Sequence, residues 1–132
     1  PGGRFVCEFG GHGNVAAIVV ALLAVLERHG QDVEGVIPWY FPDPQAWRAR
    51  LAAAGFEIDS VDLIPRPTLL PGSITDWLAT FAEPFLKLLP VEDRVTAVAE
   101  VEGLLRPALC DGAGVWTADY VRLRFSAHVA GS

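Results

Sequence analysis

From Val121 to Val129 apolar and polar side chains alternate without a break. Val121, Leu123, Phe125, Ala127 and Val129 share one face; Arg122, Arg124, Ser126 and His128 share the other. Strict period two predicts a half-exposed strand in an antiparallel or edge position. At the other end of the chain, Arg4 to Phe9 reads as a short buried strand. It is followed by the uninterrupted apolar run "VAAIVVALLAVL" from Val15 to Leu26. That run predicts a helix from about Val15 to Arg28, with Asn14 as N-cap and Gly30 at its C-terminal end. Apolar on nearly all sides, the helix should be covered all round.

Between these ends the punctuation is clear. In "FPDPQAWRARLAAAGF" Asp43 can cap a helix, Pro44 suits its first position and Gly55 follows its last turn. Trp47, Leu51 and Ala54 fall on one face. Phe56 to Pro65 reads as a strand with imperfect alternation, and "RPTLLPG" as a loop. Ser73 and Asp76 form a capping box. The helix they open is expected to bend or break at Pro84, and a further helix runs from about Glu92 to Arg106. On the latter, Val95, Val98, Val101 and Leu105 form one stripe. "DGAG" is a turn. No repeat, low-complexity segment or linker interrupts the chain. Three strands with this much helix give an α/β or α+β pattern. The sheet is thin, and its edge beside the first strand would need covering.

Composition narrows the class of partner. The 132 residues suffice for one domain with a core of its own. A net charge of -6 and a pI near 4.9 argue against nucleic acid, and nothing resembles a polybasic membrane anchor. The longest apolar run is shorter than the ~20 residues a spanning helix needs. Two cysteines make no disulfide framework, and Cys7 is expected to be a buried thiol. With no CxxC and no clustered His/Cys spacing, a reducing cytoplasm and no metal are the expectations. The apolar fraction of 52% and mean hydropathy of +0.34 are high, so some surface should be buried against a partner. Because the first residue is Pro1 and not Met, the chain is expected to begin inside a gene product or to have been trimmed.

"FGGHGN", residues 9–14, combines a strand, glycines and an apolar helix, as a nucleotide loop does. The spacing does not fit. Glycines fall at 10, 11 and 13 instead of in a GxGxxG pattern, and no Gly-Lys-Ser/Thr is present. No acidic residue ending a convincing second strand follows either.

A different assignment fits the order of motifs. "PGGRFVCEFGGHGN" resembles the start of the fifth strand of class I S-adenosylmethionine-dependent methyltransferases, where a Lys-Pro-Gly-Gly turn introduces that strand. Only Pro1-Gly2-Gly3 of such a turn is here. Phe41, Pro42, Trp47, Leu51, Ala54, Gly55 and Phe56 match the pattern of the following helix and sixth strand. "ITDWLATFAEPFLKLLP" and the closing strand resemble the trans-aconitate methyltransferase branch, which inserts helices between strands six and seven. The resemblance spans nearly the whole chain.

It implies an α/β architecture: the C-terminal part of a Rossmann-like sheet, strands five, six and seven, the last antiparallel. Residues 1–132 would be the C-terminal portion of a single methyltransferase domain, with a helical substrate cap over about 73–107. The cofactor, S-adenosylmethionine, would be held mainly by motifs upstream of Pro1, so no cofactor-binding residue is assigned in this chain. The isolated chain is expected to be inert.

Methyl transfer asks an enzyme mainly to hold an acceptor in line in a dry pocket, and an ionised carboxylate needs no base. Ligands of open parallel sheets lie beyond the carboxyl ends of the strands. This singles out Glu8, His12 and Asn14 for a small-molecule acceptor, with His12 as the one candidate to take a proton. The plainer alternatives are a solvent-facing histidine, a helix-capping asparagine and a glutamate bonded to nearby amides. Trp39 and Tyr40 could wall a substrate pocket, and Trp77 could close it, although aromatic residues at such spacing are usually packing. Arg66, with Arg94, Arg122 and Arg124, could meet an anionic substrate, though exposed arginines are usually just solvated. A homodimer through the open sheet edge or an exposed apolar helix is also expected. The competing class is a non-enzymatic α+β association or ligand-binding module, which the upstream coding sequence would distinguish.

Overall fold

The computed structural model describes residues 3–130; Pro1 and Gly2 of the introductory turn, and Gly131 and Ser132 of the tail, lie outside them. The elements are β1 (Arg4–Gly10), α1 (Ala16–Arg28), α2 (Pro44–Ala53), β2 (Phe56–Leu69), α3 (Ile74–Phe81), α4 (Glu83–Leu86), α5 (Val91–Leu109) and β3 (Thr117–Val129). The three strands form one sheet in the order β1-β3-β2. β1 runs antiparallel to β3, with Cys7 opposite Phe125 and Glu8 opposite Arg124. β2 is also antiparallel to β3. The amide of Ala130 donates to Gly55 O at one end of the pairing, and that of Leu70 donates to Trp116 O at the other.

β3 is therefore the middle strand, antiparallel to both neighbours, so of the antiparallel or edge positions that its alternation predicts the first holds. One of its faces packs on α2, and the other carries its charged and polar side chains. Leu123, Phe125 and Ala127 are buried with Leu51 and Val61, and Cys7, Phe9, Trp47, Phe56, Ile58 and Leu63 pack around them. Phe9 and Trp47 meet edge to face at 4.8 Å, and Trp47 and Phe125 at 5.5 Å, a favoured geometry for aromatic pairs. β2 alternates imperfectly because its core positions shift from even numbers (Phe56, Ile58) to odd ones (Val61, Leu63). One extra residue in a strand, a bulge, produces that shift. β2 also runs four residues further than expected, so Arg66 and Thr68 lie in a strand and not in a loop.

The chain divides into two compact units. One combines the N-terminal stretch to Asn14, Tyr40–Arg66 and the C-terminal stretch from Tyr120; the other combines Val15–Trp39 and Pro67–Asp119. In the second, α1 buries Ile18, Val19, Ala21, Leu22, Val25 and Leu26, and α5 contributes Ala97, Val101 and Leu105. Nε2 of His29, at the end of α1, lies 2.7 Å from Glu100 Oε1 on α5.

Several local expectations hold. Asp43 accepts the Ala46 amide at 2.7 Å with Pro44 at the first position of α2. The Ser73–Asp76 capping box is present, and the helix breaks at Ala82, just before Pro84.

Others are corrected. α1 is not covered all round, since Val20 is 64% exposed. β1 is only half-buried: Phe5 and Val6 are exposed and the Cys7 thiol is intermediate. Ala54 terminates α2 in solvent instead of sharing the face of Leu51. On α5 the buried stripe is Ala97, Val101 and Leu105, whereas Val95 is 82% exposed. The apolar positions there outnumber what one packed face can hold, and the alanine takes the inner row.

The two faces of β3 should separate in energy. Leu123→Ala should cost about 2–5 kcal/mol through the cavity it leaves. Arg124→Ala, on the opposite face, should stay within about 0.5 kcal/mol. Urea denaturation of the two variants checks the contrast.

Candidate functional site

The glycine turn after β1 is built inward, not outward. A side chain on Gly10 would meet Phe41 Cε1 at 2.8 Å and Asn14 Nδ2 at 2.9 Å; one on Gly11 would meet Leu63 Cδ2 at 2.5 Å and Leu123 Cβ at 2.9 Å. The space that a phosphate-binding loop leaves for its ligand is filled here by the protein's own side chains. The amides are engaged as well. Gly11 N–H donates to Val121 O, His12 N–H to Pro42 O and Asn14 N–H to Gly11 O.

Asn14 is buried, and its Oδ1 accepts the Val121 amide at 2.8 Å. It is not the cap of α1, which corrects the sequence expectation. The reason is competition. The side chain satisfies a strand amide that would otherwise be orphaned, and such a burial cost exceeds the value of a cap.

The start of α1 is served instead by Asp119. Its Oδ2 accepts the Ala17 amide at 2.8 Å, and its carbonyl accepts the Val15 amide at 2.9 Å. α1 has no acidic residue in its first turn, so this carboxylate supplies the negative charge that a helix N-terminus favours. Val15 itself adopts a left-handed backbone, φ 46°. That is costly for a β-branched residue, on the order of 1–3 kcal/mol. Asp119 accepts both the Val15 amide and that of Ala17, two residues on.

Glu8 lies on the sheet face opposite the apolar core. Its Oε1 is 3.0 Å from Arg66 Nη2 and its Oε2 is 3.8 Å from Arg122 Nε, while Arg122 Nη2 donates to the Glu8 carbonyl at 3.3 Å. Two guanidiniums thus hold one carboxylate. Further along the same face, His128 bridges Asp59 and Glu57, with both contacts at 3.0 Å, and Ser126 donates to Asp59. The side chains involved are partly exposed, so each pair contributes little stability. Their effect is to fix orientation across the three strands.

The structure therefore brings Glu8 and Arg66 together and places His12, exposed, at the tip of the glycine turn. Tyr40 is exposed, with the Arg50 guanidinium over its ring at 5.1 Å. Trp39 and Trp77 belong to the helical unit. They meet edge to face at 6.5 Å, and Trp39 also packs on Phe85 at 5.4 Å. Trp77 is buried, so it stands as core. Asp119 is the residue that sequence reasoning missed. Nothing in "TADYV" distinguishes an acid that caps a helix a hundred residues earlier from a solvated one. Among the described residues, no group of three His, Cys, Asp or Glu side chains is placed to hold a metal ion. No helix among them is long and apolar enough to cross a membrane.

The class to which these features point is reached by comparison. The chain is 35% identical over 129 residues to a protein of Schizosaccharomyces pombe (strain 972 / ATCC 24843) named "Uncharacterized methyltransferase C70.08c". The alignment covers 96% of this chain and 49% of that protein, so the chain spans about half the length of the curated relative it matches. No protein-family model matches the chain.

Removing the Asp119 cap is expected to be felt at α1. Asp119→Ala should cost about 1–2 kcal/mol, whereas Asp119→Asn, which keeps an acceptor for the Ala17 amide, should cost less than half as much. Chemical denaturation of both variants measures the difference.

Proposed function

We propose that this chain is the acceptor-side, C-terminal half of an S-adenosylmethionine-dependent methyltransferase acting on a small molecule. The 35% identity across 96% of the chain carries the reading. The sheet supports it independently. An antiparallel last strand and three helices between β2 and β3 are what the motif resemblance implies.

The cofactor does not fit the glycine turn. Side chains fill its concavity, and within the helical unit the Asp119 carboxylate already accepts an amide at the N-terminus of α1. In this reading the described residues serve the acceptor, and the cofactor is held by a part of the protein that precedes β1. His12 is the group best placed to touch the acceptor. It is exposed on the turn that follows β1, while the Glu8 carboxylate is committed to Arg66 and Arg122. Trp39 and Trp77 pack within the helical unit, and Tyr40 carries the Arg50 guanidinium over its ring.

Calorimetric titration of S-adenosylhomocysteine should give no binding heat with this chain and a saturable isotherm with a version extended upstream. Saturable binding to the short chain would overturn the placement of the cofactor. In the extended enzyme, His12→Ala should lower kcat/KM about tenfold or more while leaving S-adenosylhomocysteine affinity unchanged. An unchanged kcat/KM removes His12 from the acceptor site.

A further inference from the structure

The two outer edges of the sheet are built differently. In an antiparallel ladder alternate residues turn their N–H and C=O groups toward one neighbour, and the residues between turn theirs away. The amide of Val129 donates to Gly3 O at 2.9 Å and that of Gly11 to Val121 O at 3.1 Å. The odd-numbered residues of β1 therefore face β3, and Arg4, Val6 and Glu8 turn their backbone groups outward. On β2 the amide of Ala130 donates to Gly55 O and, past the bulge, that of Leu70 donates to Trp116 O. Past the bulge the odd-numbered residues of β2 face outward, and two of them are Pro65 and Pro67.

Those prolines remove N–H groups where a further strand would need them. Prolines and a bulge are how natural sheets guard an edge against pairing. β1 has neither: it contains no proline, and its register with β3 is unbroken from Arg4 to Gly10. The Glu8 carbonyl is engaged by the Arg122 guanidinium at 3.3 Å, with the Cys7 thiol also directed at it. Among the described residues, no bond engages the amides of Arg4, Val6 and Glu8 or the carbonyls of Arg4 and Val6.

The side chains of this edge are left open in the same way. Phe5 packs on Phe125 at 5.0 Å and on Phe56 at 6.0 Å, yet it stays 44% exposed. Val6, on the other face, is 54% exposed. In a sheet such side chains are covered by those of the adjoining strand on the same face. The strand that fits is apolar on both faces, as buried strands are. A second copy of β1 does not meet that description. Paired about Val6, it would set Arg4 against the partner's Glu8, a carboxylate that Arg66 and Arg122 already hold.

The relative is about twice as long as the segment that aligns with this chain, so a protein of that length has a second half to place. We infer that the outer edge of β1 is where the preceding part of the protein joins the sheet: one of its strands, apolar on both faces, pairs with Arg4, Val6 and Glu8. The inference rests on the functional reading above, which puts the rest of the protein before β1.

The test is amide hydrogen exchange, read by NMR on this chain and on the version extended upstream. In this chain the amides of Val6 and Glu8 should exchange at least about a hundredfold faster than those of Cys7 and Phe9, which β3 holds. In the extended version they should slow to within about tenfold of Cys7 and Phe9. Fast exchange at Val6 and Glu8 in both versions overturns the inference. So does slowing that develops in this chain by itself as its concentration rises, which would give the edge to a second copy. Val6→Pro removes an outward N–H and no bond to β3. It should leave the melting temperature of this chain within about 3 °C and lower that of the extended version by about 5 °C or more. Equal shifts in the two versions overturn the inference. Cofactor binding is a separate readout. An extended version that binds S-adenosylhomocysteine while Val6 and Glu8 still exchange fast overturns the edge assignment and leaves the functional reading standing. Slowed exchange without cofactor binding supports the edge assignment and counts against that reading.

Discussion

β3 is hydrogen-bonded on both sides, and most of the rest depends on that. A strand with an antiparallel neighbour at each edge spends its backbone within the sheet, so its side chains alone decide what lies above and below. On one face Leu123, Phe125 and Ala127 form the centre of a core that β1, β2 and α2 complete. On the other, Arg122 reaches Glu8 of β1, while Ser126 and His128 reach Asp59 of β2. Residues at the start of the same strand take on a different task. Asp119 and Val121 accept and donate the bonds that shape the turn after β1 and the start of α1. A change of register in β3 by one residue would exchange its two faces and misplace all of these groups together.

That dependence explains which parts were legible from the sequence. The capping box at Ser73 and the Asp43–Pro44 helix start rest on interactions between residues a few positions apart, and local pattern encodes those. The role of Asn14 was misread because capping is a local rule and its partner, Val121, is more than a hundred residues away. The central place of β3 was hidden for a related reason. Period two reports that the faces differ, and it carries no information about how many neighbours the strand has. The inner row of α5 was misjudged because its about five turns supply more apolar candidates than the packed side accepts, and only the tertiary contacts select Ala97 over Val95.

The glycines of "FGGHGN" show how one sequence feature can serve opposite ends. In a phosphate loop glycines remove side chains so that a ligand can approach the backbone. Here the backbone of Gly10 and Gly11 is approached by Phe41, Leu63 and Leu123. The two cases differ in what becomes of the N–H groups. A ligand-binding loop keeps them unpaired and convergent, whereas Gly11, His12, Asn14 and Val15 have already given theirs to carbonyls. Asp119 adds a second barrier, because an anion approaching the N-terminus of α1 meets a carboxylate that the helix dipole already stabilises. With those four amides already paired, the side chain that the turn displays to a ligand is that of His12. That is why the functional reading places the cofactor elsewhere and the acceptor here.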